Sequence, residues 1–503
     1  MFSDKDSISH VARRGLLLVI VLSAAWRLVR YLLRMPLWGD EAMLALNFLD
    51  RDAIGLLAPL ANGQVSPVLF LWLEKAVLES LGSSELALRL LPVAAGFGGL
   101  WLFHRLARSV LEPLPAVLAT ATLAVSYYIV RHSVEVKPYS FDLLAALALY
   151  LPAAAFVQRK DTKALMLWSA AAPIAMLVSY PAVFAFGACA AALLLQMRHA
   201  SWKERGIWLA GCALGATAFL WMLAVVASRQ YTELREPMTL YWKDSFPPAG
   251  LSKLPLWLLQ IHAGNMMAYP VGGRNLGSLG TLVLAIIGMW ISAKKWPRSL
   301  LVLFVLPFVL TLLAAFMHRY PYGGSARIAQ HLAPAICLWF GVGVAWLIER
   351  ASDANRRRAA TVFTLGVLGV IAIGGIIRDI RHPAKTPGDA RARDRVHEWL
   401  TPKEQAGTFI VWEPMNDVPP NFQWYLRTSG RNIVWNARAM ETWPHEPDVV
   451  NVVGFDRNGS LPQSAASRLP GFQMTGHVTE EILVGPPELG PVRWESVRFE
   501  RQP

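Results

Sequence analysis

Apolar runs about the length of a bilayer crossing recur along most of the chain, each separated from the next by a short polar or charged loop. They fall at about 15–33, 90–106, 115–130, 139–157, 164–180, 182–197, 206–227, 276–293, 301–317, 328–348 and 359–377. The pattern predicts about eleven transmembrane helices, because a helix satisfies its own backbone hydrogen bonds inside hydrocarbon. The stretch 67–81 carries Glu74 and Lys75 on an otherwise apolar helical pattern. It reads as a juxtamembrane helix in the outer interface, and 251–267 as a second. Arg13-Arg14 precede the first run, which has no small-residue cleavage site and therefore reads as a retained first helix.

From about residue 378 the pattern changes. Candidate strands at 408–412, 432–435 and 449–455 alternate with a helical stretch near 421–428, and closing strands are expected at 481–484 and 494–499. The expected organisation is a transmembrane domain over 1–377 and a small α/β domain over 378–503.

Charge orients this array. Basic residues cluster at Arg105 and Arg108; at Arg159, Lys160 and Lys163; at Arg198, Lys203 and Arg205; at Lys294, Lys295 and Arg298; and at Arg350 with Arg356, Arg357 and Arg358. One register puts all of these loops in the cytoplasm, so the positive-inside rule places the N-terminus inside and the C-terminal domain outside. The expected location is a bacterial inner membrane with a periplasmic tail. The basic segment 378–395 runs against this register, although long domains cross largely regardless of charge.

Composition narrows the classes. A chain of 503 residues that is 54% hydrophobic and 17% charged is not a water-soluble globule. The net charge of +13 would suit nucleic acid, but the cations lie in loops between spans and report topology instead, so no nucleic-acid partner is expected. Cys189, Cys212 and Cys337 lie in apolar segments without metal-ligand spacing and read as buried free thiols. No P-loop or dinucleotide fingerprint is present, so no nucleotide cofactor is expected.

The candidate chemistry lies in the outer loops. Asp40 and Glu41 follow the first span directly. Such a pair can hold a divalent cation, supply a general base, or cap the helix that begins near Ala42. The first outer loop adds Asn62, Gln64, Ser66-Pro67, Glu85 and Arg89, and the second holds Arg131, His132, Glu135, Lys137, Tyr139 and Asp142. Ionisable groups at membrane depth are costly, which makes function the default reading for Glu135 and Lys137, with a Glu135 salt bridge or lysine snorkelling as the plain alternative. Arg27, Arg30 and Arg34 lie along one helical face and could meet a lipid phosphate or snorkel. A late loop, 318–327, sets Gly323-Gly324 beside cations and ends at Arg327, with His331 one turn further on.

Four motifs in order, Trp38-Gly39-Asp40-Glu41, Gln64-Val65-Ser66-Pro67, Glu85-Leu86-Ala87-Leu88-Arg89 and Glu135-Val136-Lys137-Pro138-Tyr139-Ser140-Phe141-Asp142, resemble those of bacterial glycosyltransferase family 39. That family includes protein mannosyltransferases and lipid A aminoarabinose transferases within the GT-C superfamily. The likeness runs from about residue 27 to 348 and implies a GT-C type fold. It also implies a polyprenyl-phosphate sugar donor, an active site on the outer face, and inverting transfer to a lipid, glycan or protein acceptor. Asp40 matches the family's essential acid, and Glu135 its second-loop acid, often linked to a metal. The resemblance thus allows a divalent cation (Mg, Mn or Zn) at Asp40 and Glu135. Lys137 stands near the expected donor phosphate, and Arg327 matches the basic residue opening a late span. With Glu41 beside the catalytic acids, Arg131, Tyr139, Arg89, Gln64 and His331 complete the candidate contacts to donor phosphate or acceptor. Ser66-Pro67 departs from the His-Pro-Pro of many relatives. One rival reading is a transporter of a lipid-linked sugar or another anion, which would spread its charges along a midplane path, and a second is a non-catalytic assembly or anchoring protein with the C-terminal module as its working part.

Overall fold

The computed structural model describes residues 4–232, 239–400, 408–431, 433–435, 449–455, 461–469, 471–482 and 492–502. These form two compact units. The first comprises the described residues within Met1–Leu33, Asp52–Gly82 and Leu86–Arg381; the second comprises those within Arg34–Arg51, Ser83–Glu85 and His382–Pro503.

In the first unit, seven helices among the described residues are long and apolar enough to cross a membrane: Val11–Leu32, Glu85–Val110, Tyr139–Arg159, Trp202–Gln230, Arg298–Phe316, Gln330–Glu349 and Ala354–Arg381. The other spans expected from the sequence are met by shorter helices, Pro113–Ala124, Thr162–Val178, Ala182–Met197 and Leu279–Lys295. The expected span 115–130 is broken: its helix ends at Ala124 and a short helix, Tyr127–His132, follows. Ser126 marks the break, turning its hydroxyl back onto the Thr122 carbonyl at 2.7 Å. Both expected juxtamembrane pieces are helical, at Val68–Leu81 and Leu254–His262.

The spans divide their apolar residues between two environments. On the first helix Val19 and Trp26 are buried, while Leu17, Leu18 and Val21 face outward, as do Phe363 and Val370 on the last. In lipid such faces need no protein cover. These two helices pack on each other. Asp379 joins them, accepting from Arg30 at 2.7 Å and from the Trp26 indole at 2.7 Å. Arg27 donates to the Ala124 carbonyl at 3.0 Å and to Ser23. The arginine face that could have met a lipid phosphate is therefore used at Arg27 and Arg30 to tie helices together, since a buried cation needs a partner more than an exposed one does.

Leu279–Lys295 packs on Ala333–Glu349 at backbone distance. A Cβ on Gly288 would fall 1.8 Å from the Trp339 carbonyl oxygen, and one on Gly343 would fall 2.1 Å from that of Leu284. Small residues at the crossing are what allow this approach in a membrane bundle.

The second unit is built on a five-stranded sheet of order β2-β1-β3-β5-β4, with β1 Thr408–Val411, β2 Ile433–Trp435, β3 Val449–Gly454, β4 Phe472–Ile482 and β5 Val492–Arg501. β1 pairs in parallel with β2 and β3, and β5 runs antiparallel to β3 and β4. The helix Pro420–Thr428 lies in the chain between β1 and β2, giving the strand, helix, strand unit expected from the sequence. Ile410, Val450, Val452, Leu461, Val497 and Phe499 form one core. Trp399 stacks on Phe422 with ring centroids 5.8 Å apart, closing the helix Pro387–Trp399 over Pro420–Thr428. The closing strand expected at 481–484 starts much earlier, at Phe472, while 483 and 484 lie outside the described residues. Among the described residues β4 pairs on one side only, with β5, and its residues 473–479 are exposed, hence the missing apolar alternation.

The helix Gly39–Asp50 also belongs to the second unit, although the chain enters it directly from the first span. It packs on Pro420–Thr428.

Candidate active site

In the first unit the candidate residues gather around the loop between Tyr127–His132 and the span that begins at Tyr139. The loop is compact. Ser133 donates its hydroxyl to the Val130 carbonyl at 2.7 Å, and the Lys137 amide donates to the Glu135 carbonyl at 2.7 Å. Gly96 lets it seat against the helix Glu85–Val110, for a Cβ there would fall 2.5 Å from the Ser133 Cβ. Pro138 precedes the span, where its fixed φ and missing N–H suit a helix start.

Glu135 is 3% exposed, so its charge must be met inside the protein. Oε1 accepts from Arg131 Nε at 3.3 Å, and Oε2 lies 2.8 Å from His132 Nδ1. Burial lowers the His132 pKa, and Glu135 pulls it the other way. The neutral ring is therefore favoured, donating from Nδ1. For Arg131 burial acts downward, but Glu135 and the Tyr127 hydroxyl, 3.0 Å from Nη1, outweigh it and hold the guanidinium firmly charged. Lys137, also buried, donates from Nζ to the side-chain oxygen of Gln64, which brings the first outer loop to the second.

Arg327 completes the cluster. Its guanidinium lies over Tyr139 at 5.9 Å, over Tyr241 at 6.0 Å and over Trp242 at 5.0 Å, and Nη2 donates to the Tyr241 hydroxyl at 3.0 Å. Tyr139 in turn meets the His132 ring edge-on with centroids 5.1 Å apart. The expected residues Gln64, Arg131, Glu135, Lys137, Tyr139 and Arg327 thus form one connected set. His132, noted in the second outer loop but given no role there, joins it, as do three residues that sequence reasoning did not select: Tyr241, Trp242 and Arg378, whose guanidinium lies 4.8 Å above the Tyr127 ring. An adjacent Tyr-Trp pair in a polar stretch between spans is the one signal that could have found two of them.

The other expected residues lie elsewhere. His331 is buried against the Thr311 hydroxyl, 3.0 Å from Nε2, and packs with Phe184 and Tyr320 inside the bundle. Arg89 is buried near the start of Glu85–Val110. Asp40 and Glu41 belong to the second unit. Glu41 turns its carboxylate back to accept the Trp38 amide at 3.3 Å, capping the helix Gly39–Asp50, while Asp40 sits half-buried in the first turn.

The residues present do not fit a resident divalent cation. Among the described residues no three His, Cys, Asp or Glu side chains gather. Glu135 has Arg131 and His132 on its two oxygens, which leaves it a poor metal ligand.

A bundle of membrane-length helices with a small sheet unit, and a polar cluster gathered between the spans, define a polytopic helical membrane protein. Over residues 65–224 the chain matches the family described as dolichyl-phosphate-mannose-protein mannosyltransferase, in line with the motif resemblance. No curated protein matches the chain by sequence. The fold is similar to that of ArnT from Cupriavidus metallidurans bound to undecaprenyl phosphate, with a TM-score of 0.55 and 12% identity over 96% of this chain and 97% of that one. Against the apo state of the same protein the TM-score is 0.53, at 13% identity over 95% and 97%. The apo oligosaccharyltransferase of Archaeoglobus fulgidus is more distant, with a TM-score of 0.46 and 13% identity over 93% of this chain and 69% of that one. At such identities the likeness is one of fold.

Proposed function

We propose that this protein is an integral membrane glycosyltransferase that takes a sugar from a polyprenyl-phosphate donor and passes it, with inversion, to a hydroxyl acceptor on the extracytoplasmic face. The observation that carries the reading is the cluster of Arg327, Arg131 and Lys137, drawn from separate interspan segments and held in place by aromatic rings, a carboxylate and an amide. Cations fixed in this way suit a leaving phosphate, because their orientation is set before the reaction begins. The ArnT likeness and the family match over 65–224 favour a lipid phosphate over other anions. The five basic loops support the extracytoplasmic placement.

In the proposed reaction the acceptor oxygen attacks the anomeric carbon, the bond from that carbon to the phosphate oxygen breaks, and the polyprenyl phosphate departs with both bond electrons. Asp40, half-buried in the first turn of its helix, takes the acceptor proton. Arg327, Arg131 and Lys137 meet the growing phosphate charge, Glu135 and His132 orient Arg131, and Gln64 orients Lys137. Tyr139 offers its ring to Arg327. Arg89 is proposed as a substrate contact, whereas Glu41 and His331 act through the structure around them. No step runs through a metal.

The test is transfer of a labelled sugar from a polyprenyl-phosphate donor in membranes carrying the full chain. Wild type is expected to transfer, and Asp40→Asn to lose about 10²–10⁴-fold in rate while remaining inserted and folded. Full activity in Asp40→Asn would remove the base assignment. Transport of the donor without any sugar transfer would sink the enzyme reading.

A further inference from the structure

The acid-bearing segment folds with the C-terminal part of the chain and not with the span it leaves. Between the first span and the helix Gly39–Asp50, residues 35–38 have no regular structure, and their backbone groups need partners from elsewhere. Leu37, fully buried, finds both in the helix Pro420–Thr428. Its N–H donates to the Tyr425 hydroxyl at 2.8 Å, and its carbonyl accepts from the Asn421 amide at 3.4 Å. Each partner is itself fixed: the Tyr425 hydroxyl donates to Glu85 at 3.1 Å, and the Asn421 amide donates to Asp389 at 2.7 Å. Arg393 donates to the Arg34 carbonyl upstream, and Arg427 pairs with Asp50 at the far end of the acid-bearing helix. That helix buries Ala42, Ala45, Leu46 and Phe48. It is therefore held at its entry, along its length and at its exit by the C-terminal segment.

We propose that the C-terminal module sets the position of Asp40, with Tyr425 and Asn421 as positioning residues acting through the Leu37 backbone. The inference rests on Asp40 being the base. Leu37 is three residues before Asp40, so the two hydrogen bonds fix the direction in which the helix begins. A displacement of about 1 Å at a reacting group can cost about 100-fold in rate. The soluble tail is then part of the catalytic apparatus and not an appendage to it.

The experiment uses the full chain with Tyr425→Phe and Asn421→Ala, and Arg431→Ala as a control on the same module. Hydrogen exchange is followed over 34–46 and over β3, and transfer kinetics are measured with labelled donor. Both variants are expected to exchange faster over 34–46 with β3 unchanged. Their kcat is expected to fall about tenfold or more, with donor KM within about twofold of wild type. Arg431→Ala is expected to match wild type throughout. Unchanged exchange over 34–46 and unchanged kcat would overturn the proposal, and so would equal acceleration over β3, since that marks a loss of module stability. Wild-type transfer by Asp40→Asn would instead remove the base assignment while leaving the exchange result standing.

Discussion

His132 Nδ1 lies 2.8 Å from Oε2 of Glu135, three residues further along, so that the end of the short helix carrying Arg131 and His132 is tied to the loop that follows it. Burial holds the His132 pKa below its usual value, so the folded protein prefers the neutral ring. A histidine with a depressed folded pKa contributes stability above its unfolded pKa, about 6.5, and that stability is lost as pH falls from there towards the folded pKa. The first unit is therefore expected to melt at a lower temperature at about pH 5.5 than at about pH 7.5. His132→Asn, which keeps a donor near the Nδ1 position, should flatten that slope. Thermal unfolding across pH checks both expectations.

Arg327 depends on shape as well as charge. Lysine keeps the charge but loses the planar face over Trp242 and the hydrogen bond to Tyr241. Arg327→Lys is expected to cost about 1–2 kcal/mol in kcat/KM for a polyprenyl-phosphate donor, roughly a tenfold loss. Trp242→Ala should fall in the same direction by less. Initial rates over a range of donor concentrations decide the matter.

Asp379 carries two buried partners, Arg30 and Trp26. Asp379→Ala leaves the Arg30 charge without its carboxylate and is expected to destabilise the first unit by about 3–5 kcal/mol. The pair Arg30→Met with Asp379→Leu should recover most of that loss, because two apolar groups need no partner. Chemical denaturation in detergent of the single and paired variants provides the comparison.

The Gly288 crossing has no room for a side chain. Gly288→Leu is expected to cost at least about 1–3 kcal/mol and to lower the yield of folded protein, whereas Gly366→Leu, with open space around it, should behave as wild type. Size-exclusion recovery after mild heating reads this out.

Much of the fold was legible in sequence because membrane solvent imposes a simple demand on it. A helix in hydrocarbon must be apolar for its whole length, and that requirement writes the spans directly into the chain. The parallel strand, helix, strand core of the second unit was legible for a similar reason: β3 is buried along nearly its whole length and reads as a valine-rich run interrupted at Asn451. β4 was largely missed because an exposed edge strand needs no such run.

The site was legible as a set of residues but not as a set of pairings. Sequence order placed Arg131, Glu135, Lys137 and Tyr139 on one short loop, and a loop that short keeps them near each other. It could not say that Glu135 would engage His132 and Arg131 while Lys137 turned to Gln64, 73 positions away in the chain. It could not show that Arg327 would sit among Tyr139, Tyr241 and Trp242, or that Leu37 would be held by Tyr425, 388 positions away. Hydropathy is a property of each residue against its solvent and survives in the linear text. A hydrogen bond between distant groups exists only once packing has removed water and left each donor one acceptor to choose.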